Sequence, residues 1–454
     1  MKIINPANEQ LLAELKEDNL RTLSVKLATL RKGQPAWSQT PLKKRITVIR
    51  KFAALLKSRA DDCALLLTRE VGKPIRQSYN EINGACYRIS WLADNAEKYL
   101  SDEVMYEDKT LREVIRYEPL GVVCNISAWN YPYLVGVNVF IPALLAGNAV
   151  MYKPSEYATL TGNLIGELLH NAGVPHEVFQ VAIGGGKTGA ALLDMEMDGY
   201  FFTGSYATGR YIYEKLAPRM VPCGLELGGK DPLYVTDDVH IEKVAAAAAD
   251  GAFYNNGQSC CSVERIYVHK KVYNAFVDAF VKEVRGFKIG DPEKDDVYIG
   301  PLTRKAQLDV LDAQVKDALQ KGAKLLTGGN RINRKGYYYE PTVLVNVNHH
   351  MKVMREESFG PIIGIMCVNN DEQAISLMND TEYGLTASVY SNSKTRAEKI
   401  LAQINSGTGY WNCCDRVSPA LPWSGRKHSG FGATLSHIGL RAFTRPKGLH
   451  LRKP

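Results

Sequence analysis

From Gly121 onward the chain alternates short β-branched or apolar runs with stretches of helical periodicity, and it does so twice. The first series predicts strands at Val122 to Ile126, Ala149 to Lys153, Val178 to Ile183 and Gly199 to Phe202. Between them fall helices near Val135 to Leu145, Leu160 to Ala172 and Thr188 to Leu193, then one from Tyr206, with the series ending near Leu225. The second series starts at Pro232 to Val235 and runs to about Lys427, with helices near Tyr273 to Val284, Lys305 to Gln320 and Asp371 to Met378. Strands that alternate with helices signal parallel sheets with crossover helices on their faces, so the expected fold class is α/β. A chain of 454 residues exceeds what one core can serve, and the two series mark two doubly wound units.

The first fifth of the chain reads as largely helical. Thr40-Pro41 opens a helix with Leu42, Ile46, Ile49, Phe52 and Leu56 on one face; further helical pattern spans Asp61 to Glu70 and Ser78 to Leu100, broken at Gly72-Lys73-Pro74. Arg112 to Tyr117 alternates charged and apolar residues, as expected of a strand exposed on one face and available to another subunit. Between Glu118 and Lys153 there is no charged residue, but Pro119, Pro132, Pro142 and several asparagines read as buried soluble structure rather than a membrane span. The net charge of +8 comes from cations interleaved with acids, which gives no nucleic-acid footprint. Nine cysteines without Cys-x-x-Cys spacing, and no apolar run behind Met1, predict reduced thiols in the cytoplasm. The nine histidines show no metal-binding spacing, so no metal is expected.

Phe253 to Arg265 places Cys260 between the end of an Ala-rich helix from Ile241, for which Asp238 is the expected N-cap, and a strand beginning at Val263. Asn255-Asn256-Gly257 should stop that helix, leaving Cys260 on a held turn suited to a nucleophile. The alternative is that Cys260 and Cys261 are ordinary buried small residues. Glu226 lies between two leucines beside Gly228-Gly229, where an apolar setting raises a carboxyl toward the range of a general base. Asn130, in Trp129-Asn130-Tyr131-Pro132, offers an amide donor at a strand end, for an oxyanion or for a loop cap. Gly184 to Gly189 fits G-x-G-x-x-G; Phe202 to Gly209 opens a helix with small residues; Lys153 to Glu156 brings a cation and an acid to a strand end. Each turn alone is compatible with plain chain reversal, but three in one sheet point to a nucleotide.

Taken together, these motifs resemble the NAD(P)-dependent aldehyde dehydrogenase superfamily over essentially the whole chain. The resemblance rests on Glu226-Leu-Gly-Gly-Lys, Gly257-Gln258-x-Cys260, Trp129-Asn130, Lys153 to Glu156, Phe202 to Gly209, Glu356 to Pro361 and Ser424 to Gly432, all in family order. It implies a Rossmann-type nucleotide-binding domain (1–100 and 120–228), an α/β catalytic domain (229–430) and a small β oligomerisation element (101–119 and 440–454) in a homodimer or homotetramer. It also implies Cys260 as nucleophile, Asn130 with the Cys260 N–H as oxyanion donors, and Glu226 as the base that hydrolyses the thioester. Cofactor contacts would come from Trp129, Lys153, Ser155, Glu156, Gly204, Ser205, Gly209, Leu227, Glu357 and Phe359. Glu156 favours two ribose hydroxyls over a 2′-phosphate, so NAD is preferred, with NADP compatible.

Where many members carry a Lys and a Glu that relay the base's proton, this chain has Val139 and Thr434. The ending Ser436-His437-x-Gly439-Leu440 is similar to bacterial succinate-semialdehyde-type members, implying succinic semialdehyde or a relative as substrate. Yet the carboxylate-gripping arginines of such enzymes are replaced by Asn138 and Tyr254, leaving Arg416 as the available cation. The substrate pocket would comprise Tyr131, Val135, Asn138, Tyr254, Ser259, Cys261, Arg416 and Trp423, and its aromatic lining suits an apolar, aromatic or amino aldehyde. The rival reading from another class is a cofactor-independent cysteine hydrolase using Cys260 and Glu226.

Overall fold

A computed structural model describes residues 1–452; residues 453–454, the tail of the expected 440–454 segment, lie outside the described residues. The first series forms a six-stranded sheet in the order Gly430–Phe431, Cys223–Glu226, Gly199–Thr203, Val122–Ile126, Ala149–Lys153, Phe179–Val181. Every pairing is parallel except that of Gly430–Phe431, a strand contributed by the far end of the chain. Chain order reverses between Val122–Ile126 and Gly199–Thr203, and at such a switch point crossover helices leave toward opposite faces and open a crevice at the carboxyl ends of the strands. The charge-free stretch after Glu118 resolves into the strand Val122–Ile126, the almost wholly buried helix Pro132–Ala146 and the strand Ala149–Lys153. No helix among the described residues is long and apolar enough to cross a membrane.

The second series forms a seven-stranded sheet ordered Lys324–Thr327, Thr342–Val345, Ile362–Val368, Val263–His269, Asp231–Val235, Thr386–Tyr390, Thr408–Trp411. Only the Lys324–Thr327 edge is antiparallel. Apolar clusters fill both faces of this sheet, one centred on Phe253, Phe276 and Phe280 and the other on Leu311, Met354 and Val389. The largest cluster joins the six-stranded sheet to the N-terminal helices.

Those helices are Leu20–Gln39, Leu42–Ser58, Ala60–Val71 and Ile75–Leu100. The first was not individually legible, because Gly33 and Pro35 interrupt its pattern. Asn19 and Thr22 nevertheless cap it reciprocally, and Gly33 lets it approach Glu177, whose carbonyl would lie 2.3 Å from an added Cβ. Two expectations need correction. Asp238 does not cap the helix Ile241–Phe253; His240 occupies that position, while Asp238 accepts hydrogen bonds from Thr236 and Ser391. The strand Leu111–Pro119 is not an edge, since Glu103–Glu107 and Thr444–Arg452 pair with it on either side, so any strand-to-strand contact with another subunit falls to those outer strands.

Candidate active site

Cys260 follows three consecutive left-handed residues, Asn255 (φ 51°), Asn256 (φ 57°) and Gly257 (φ 68°). Such a run is costly for L-residues and persists only where the surroundings over-determine it. Side-chain amides do so here. Asn256 Nδ2 donates to the carbonyls of Gly300 and Pro301 (both 2.8 Å) and its Oδ1 accepts from Gly300 N; Gln258 Oε1 accepts from Thr303 N (3.0 Å). The backbone N–H of Asn255 donates to Gln77 Oε1 (2.9 Å), and its Nδ2 donates to the carbonyls of Asn130 (3.2 Å) and Gln258 (3.1 Å). At Gly257 a Cβ would lie 2.4 Å from the Gly360 carbonyl, so the turn also requires glycine.

Glu226 ends a strand of the six-stranded sheet, beside Thr203 in register. Burial pushes its carboxyl up to about 7, while the hydroxyl of Thr434, which donates to Oε1, and the charge of Arg88 pull in the opposite direction. Thr434 is fixed by a two-way backbone bridge to Trp423, at 2.8 and 3.0 Å. A cavity of about 170 Å³ lies behind Glu226, lined among others by Val139, Thr203 and Thr434. Asn130 is buried beyond the strand Val122–Ile126; one N–H of its amide donates to the Gln258 carbonyl (3.1 Å), leaving the second for an incoming oxygen.

A cavity of about 620 Å³ contains Cys260 together with Tyr131, Val135, Asn138, Tyr254, Ser259, Cys261, Arg416 and Trp423. All eight residues expected in the substrate pocket therefore line one space. Other lining residues were not anticipated, among them the charged side chains of Glu81 and Arg88, from the helix Ile75–Leu100, and of Asp250 and Asp415. Arg88 is buried and donates through Nη1 to Asn138 Oδ1 (3.0 Å) and the Leu134 carbonyl (3.3 Å). Asp415 Oδ1 accepts from the Cys261 thiol (2.9 Å) and the Ser259 hydroxyl (3.3 Å), and burial pushes its carboxyl up to about 6. Their signal was faint: Gln77, Glu81 and Arg88 share a helical face, spaced four and seven residues apart among apolar neighbours.

A second cavity, of about 520 Å³, opens at the carboxyl ends of the six-stranded sheet. Trp129, Lys153, Ser155, Glu156, Gly204 and Ser205 line it, as do Gly186 and Gly189 of the G-x-G-x-x-G segment. Ser205 caps the helix Tyr206–Leu216, accepting from Thr208 N (3.4 Å), and Leu227 packs where a Cβ on Gly209 would sit. Glu357 accepts from Gly229 N (3.0 Å), and burial raises its carboxyl. Phe359, at φ 45°, is held through its N–H by Glu264 (3.0 Å) and meets Trp129 edge-on with centroids 5.4 Å apart. Open space beside Gly185 and Gly186, and a buried Arg304 Nε without a partner on the wall, fit an extended, phosphate-bearing ligand.

Residues 1–449 match the model of the aldehyde dehydrogenase family. The chain belongs to that family. Among relatives of this aldehyde dehydrogenase, peroxisomal aminoaldehyde dehydrogenase 1 of Pisum sativum is 35% identical, over 97% of this chain and 90% of that protein. Chloroplastic betaine aldehyde dehydrogenase of Beta vulgaris is 33% identical over 97% and 91% respectively. The structure of betaine aldehyde dehydrogenase from Staphylococcus aureus, in complex with NAD+, superposes with a TM-score of 0.95 at 29% identity, covering 99% of this chain and 94% of that one. The aldehyde dehydrogenase fold and enzyme class expected from the motifs therefore hold.

One cavity thus holds Cys260, and the other lies at the carboxyl ends of the six-stranded sheet. Among the described residues no group of three or more His, Cys, Asp or Glu could hold a metal ion. All nine cysteines are free.

Proposed function

We propose that this enzyme oxidises an amine-bearing, cationic aldehyde to its acid, with NAD as acceptor. The observation that carries the reading is Asp415, a carboxylate in the same cavity as Cys260 and among the aromatic side chains of Tyr131, Tyr254 and Trp423. A carboxylate and aromatic faces together suit an ammonium or quaternary ammonium group. The relatives named for aminoaldehydes and betaine aldehyde support it. A second reading, succinic semialdehyde or a related acid, is favoured by Arg88 and the exposed Arg416 on the same walls. A panel of aminoaldehydes, succinic semialdehyde and neutral aliphatic aldehydes, read as NADH or NADPH formation, separates the two; preference for succinic semialdehyde overturns the first.

In this reading Cys260 attacks the aldehyde carbon as thiolate, forming the S–C bond, while the carbonyl electrons move to an oxygen held by the Asn130 amide and the Cys260 N–H. When bound, NAD supplies the acceptor for the hydride leaving the tetrahedral carbon. Glu226 then takes a proton from water, whose oxygen attacks the thioester and releases the carboxylate and Cys260. Lys153 and Glu156 would hold the adenosine ribose; Glu357 would hold the nicotinamide ribose, and Phe359 would pack beside the ring. Trp129, Ser155, Gly204, Ser205, Gly209 and Leu227 shape the remainder of the groove.

The Glu156 carboxylate supports NAD over NADP. The proposed domains are 1–100 with 120–228, 229–430, and 101–119 with 440–454, the last joining subunits of a cytoplasmic homodimer or homotetramer.

A further inference from the structure

The break between the third and fourth helices, Gly72-Lys73-Pro74, has no part in the chemistry above, yet its lysine is fully buried. Lys73 Nζ donates to the Asn130 carbonyl (2.7 Å), pairs with Glu81, and lies 3.6 Å from the centroid of the Tyr131 ring. Glu81 turns its other oxygen to the N–H of Tyr133 (2.9 Å), at the start of the helix Pro132–Ala146. One ion pair thus touches Asn130, Tyr131 and Tyr133. The Asn130 carbonyl also accepts from Asn255 Nδ2, and Asn255 is tied to Gln77, one turn before Glu81. The segment 73–81 therefore grips the Asn130 turn directly and the Cys260 turn through Asn255.

An ion pair stripped of water adds little stability beyond what apolar side chains of similar volume would give, because desolvation offsets the attraction. Its contacts are directional: the Lys73 ammonium meets the Asn130 carbonyl and the Tyr131 ring while Glu81 meets the Tyr133 N–H. The helix N-terminus favours the Glu81 carboxylate, and the ring face of Tyr131 favours the Lys73 ammonium.

We propose that Lys73 and Glu81 are positioning residues that hold the Asn130 amide and the Tyr131 ring in register with Cys260. The inference rests on the reading of Asn130 as an oxyanion donor. Displacing such a donor by about an ångström lowers the rate of the step it serves by about a hundredfold.

The test uses the full-length enzyme and the variants Lys73→Met, Glu81→Gln, the double Lys73→Met/Glu81→Gln, and Asn130→Ala. The readouts are the pre-steady-state NADH burst rate, the aldehyde KM, the NAD dissociation constant and the rate of Cys260 alkylation by iodoacetamide. Expected for Lys73→Met is a burst slowed about a hundredfold, a raised aldehyde KM, and unchanged NAD binding and alkylation. The double variant leaves no unpaired buried charge, so it serves where Lys73→Met does not fold, and the same slowing is expected. A folded double variant with wild-type burst rate and KM, whatever its melting temperature, overturns the proposal. If Asn130→Ala also bursts at the wild-type rate, the reading of Asn130 fails with it; if Asn130→Ala is slow and the double variant is not, the positioning role alone fails.

Discussion

The hydroxyl of Thr434 donates a hydrogen bond to Glu226 Oε1, and Thr434 itself is anchored to Trp423, a wall of the aldehyde cavity. A donor aimed at a carboxylate favours its charged form, so the bond holds the acidity of Glu226 below what burial alone would impose. Thr434→Val removes the bond and keeps the volume. The acid limb of the pH profile for thioester hydrolysis should then move to higher pH, with turnover at pH 7 falling about tenfold, the effect of losing one hydrogen bond to a charged group. Steady-state rates across pH, with the burst rate as internal control, check this.

Glu226 also makes a stability prediction. Its carboxyl stands near 7 in the folded chain against 4.5 for an unperturbed glutamate. Below about pH 4.5 it is protonated in both states and costs nothing. As pH rises toward 7 the unfolded chain releases a proton that the folded chain keeps, so folding loses free energy through that window, on the order of 3 kcal/mol once complete. Glu226→Gln should therefore melt higher than wild type at pH 8 and alike near pH 4.5. Kinetically the same variant should keep its NADH burst and lose the slow turnover that follows.

Much of the site was legible because parallel sheets place functional loops at the carboxyl ends of strands. The sequence alternation located Trp129-Asn130, Lys153 and Gly204 at neighbouring strand ends, and Cys260 at the entry to a strand of the second sheet, while Glu226 stood out through its flanking leucines and glycines. Residues arriving from a distant helix were not legible. Lys73 read only as part of a break, and Glu81 and Arg88 were not singled out within their helix, because periodicity reports the apolar face of a helix but not which polar residues a neighbouring unit covers. Asp415 was hidden differently: it sits in an irregular loop, and only the fold brings it against Cys261.

The proposed preference for NAD rests on Glu156. Its carboxylate accepts from Ser155 Oγ (3.2 Å) and lies in the groove with Lys153, whose ammonium burial makes easier to deprotonate while Glu156 counters that effect. A 2′-phosphate would meet the carboxylate at close range. Glu156→Gln should lower the KM for NADP by about tenfold with little change for NAD, since removal of one repulsive charge is worth a kcal/mol or two. An unaltered NADP-to-NAD ratio of kcat/KM would place the discrimination elsewhere.

Asp415 gives the sharpest test of substrate class, because its charge can be switched by pH as well as by substitution. Its carboxyl is raised by burial to about 6, with the Cys261 thiol and Ser259 hydroxyl working against the rise. Above that value it is an anion able to meet an ammonium group; below it, a neutral acid. The KM of an aminoaldehyde should accordingly climb as pH falls through about 6, while that of a neutral aldehyde of equal length stays level. Asp415→Asn should abolish this difference and raise the aminoaldehyde KM at pH 8 by about tenfold, as expected for one charge contact in a partly solvated pocket. The sign reverses for a carboxylate-bearing aldehyde: removing Asp415 would lower its KM, since one anion opposing Arg88 and Arg416 in the cavity would be gone. Measuring both substrates on the one variant distinguishes recognition of a cation from recognition of an acid.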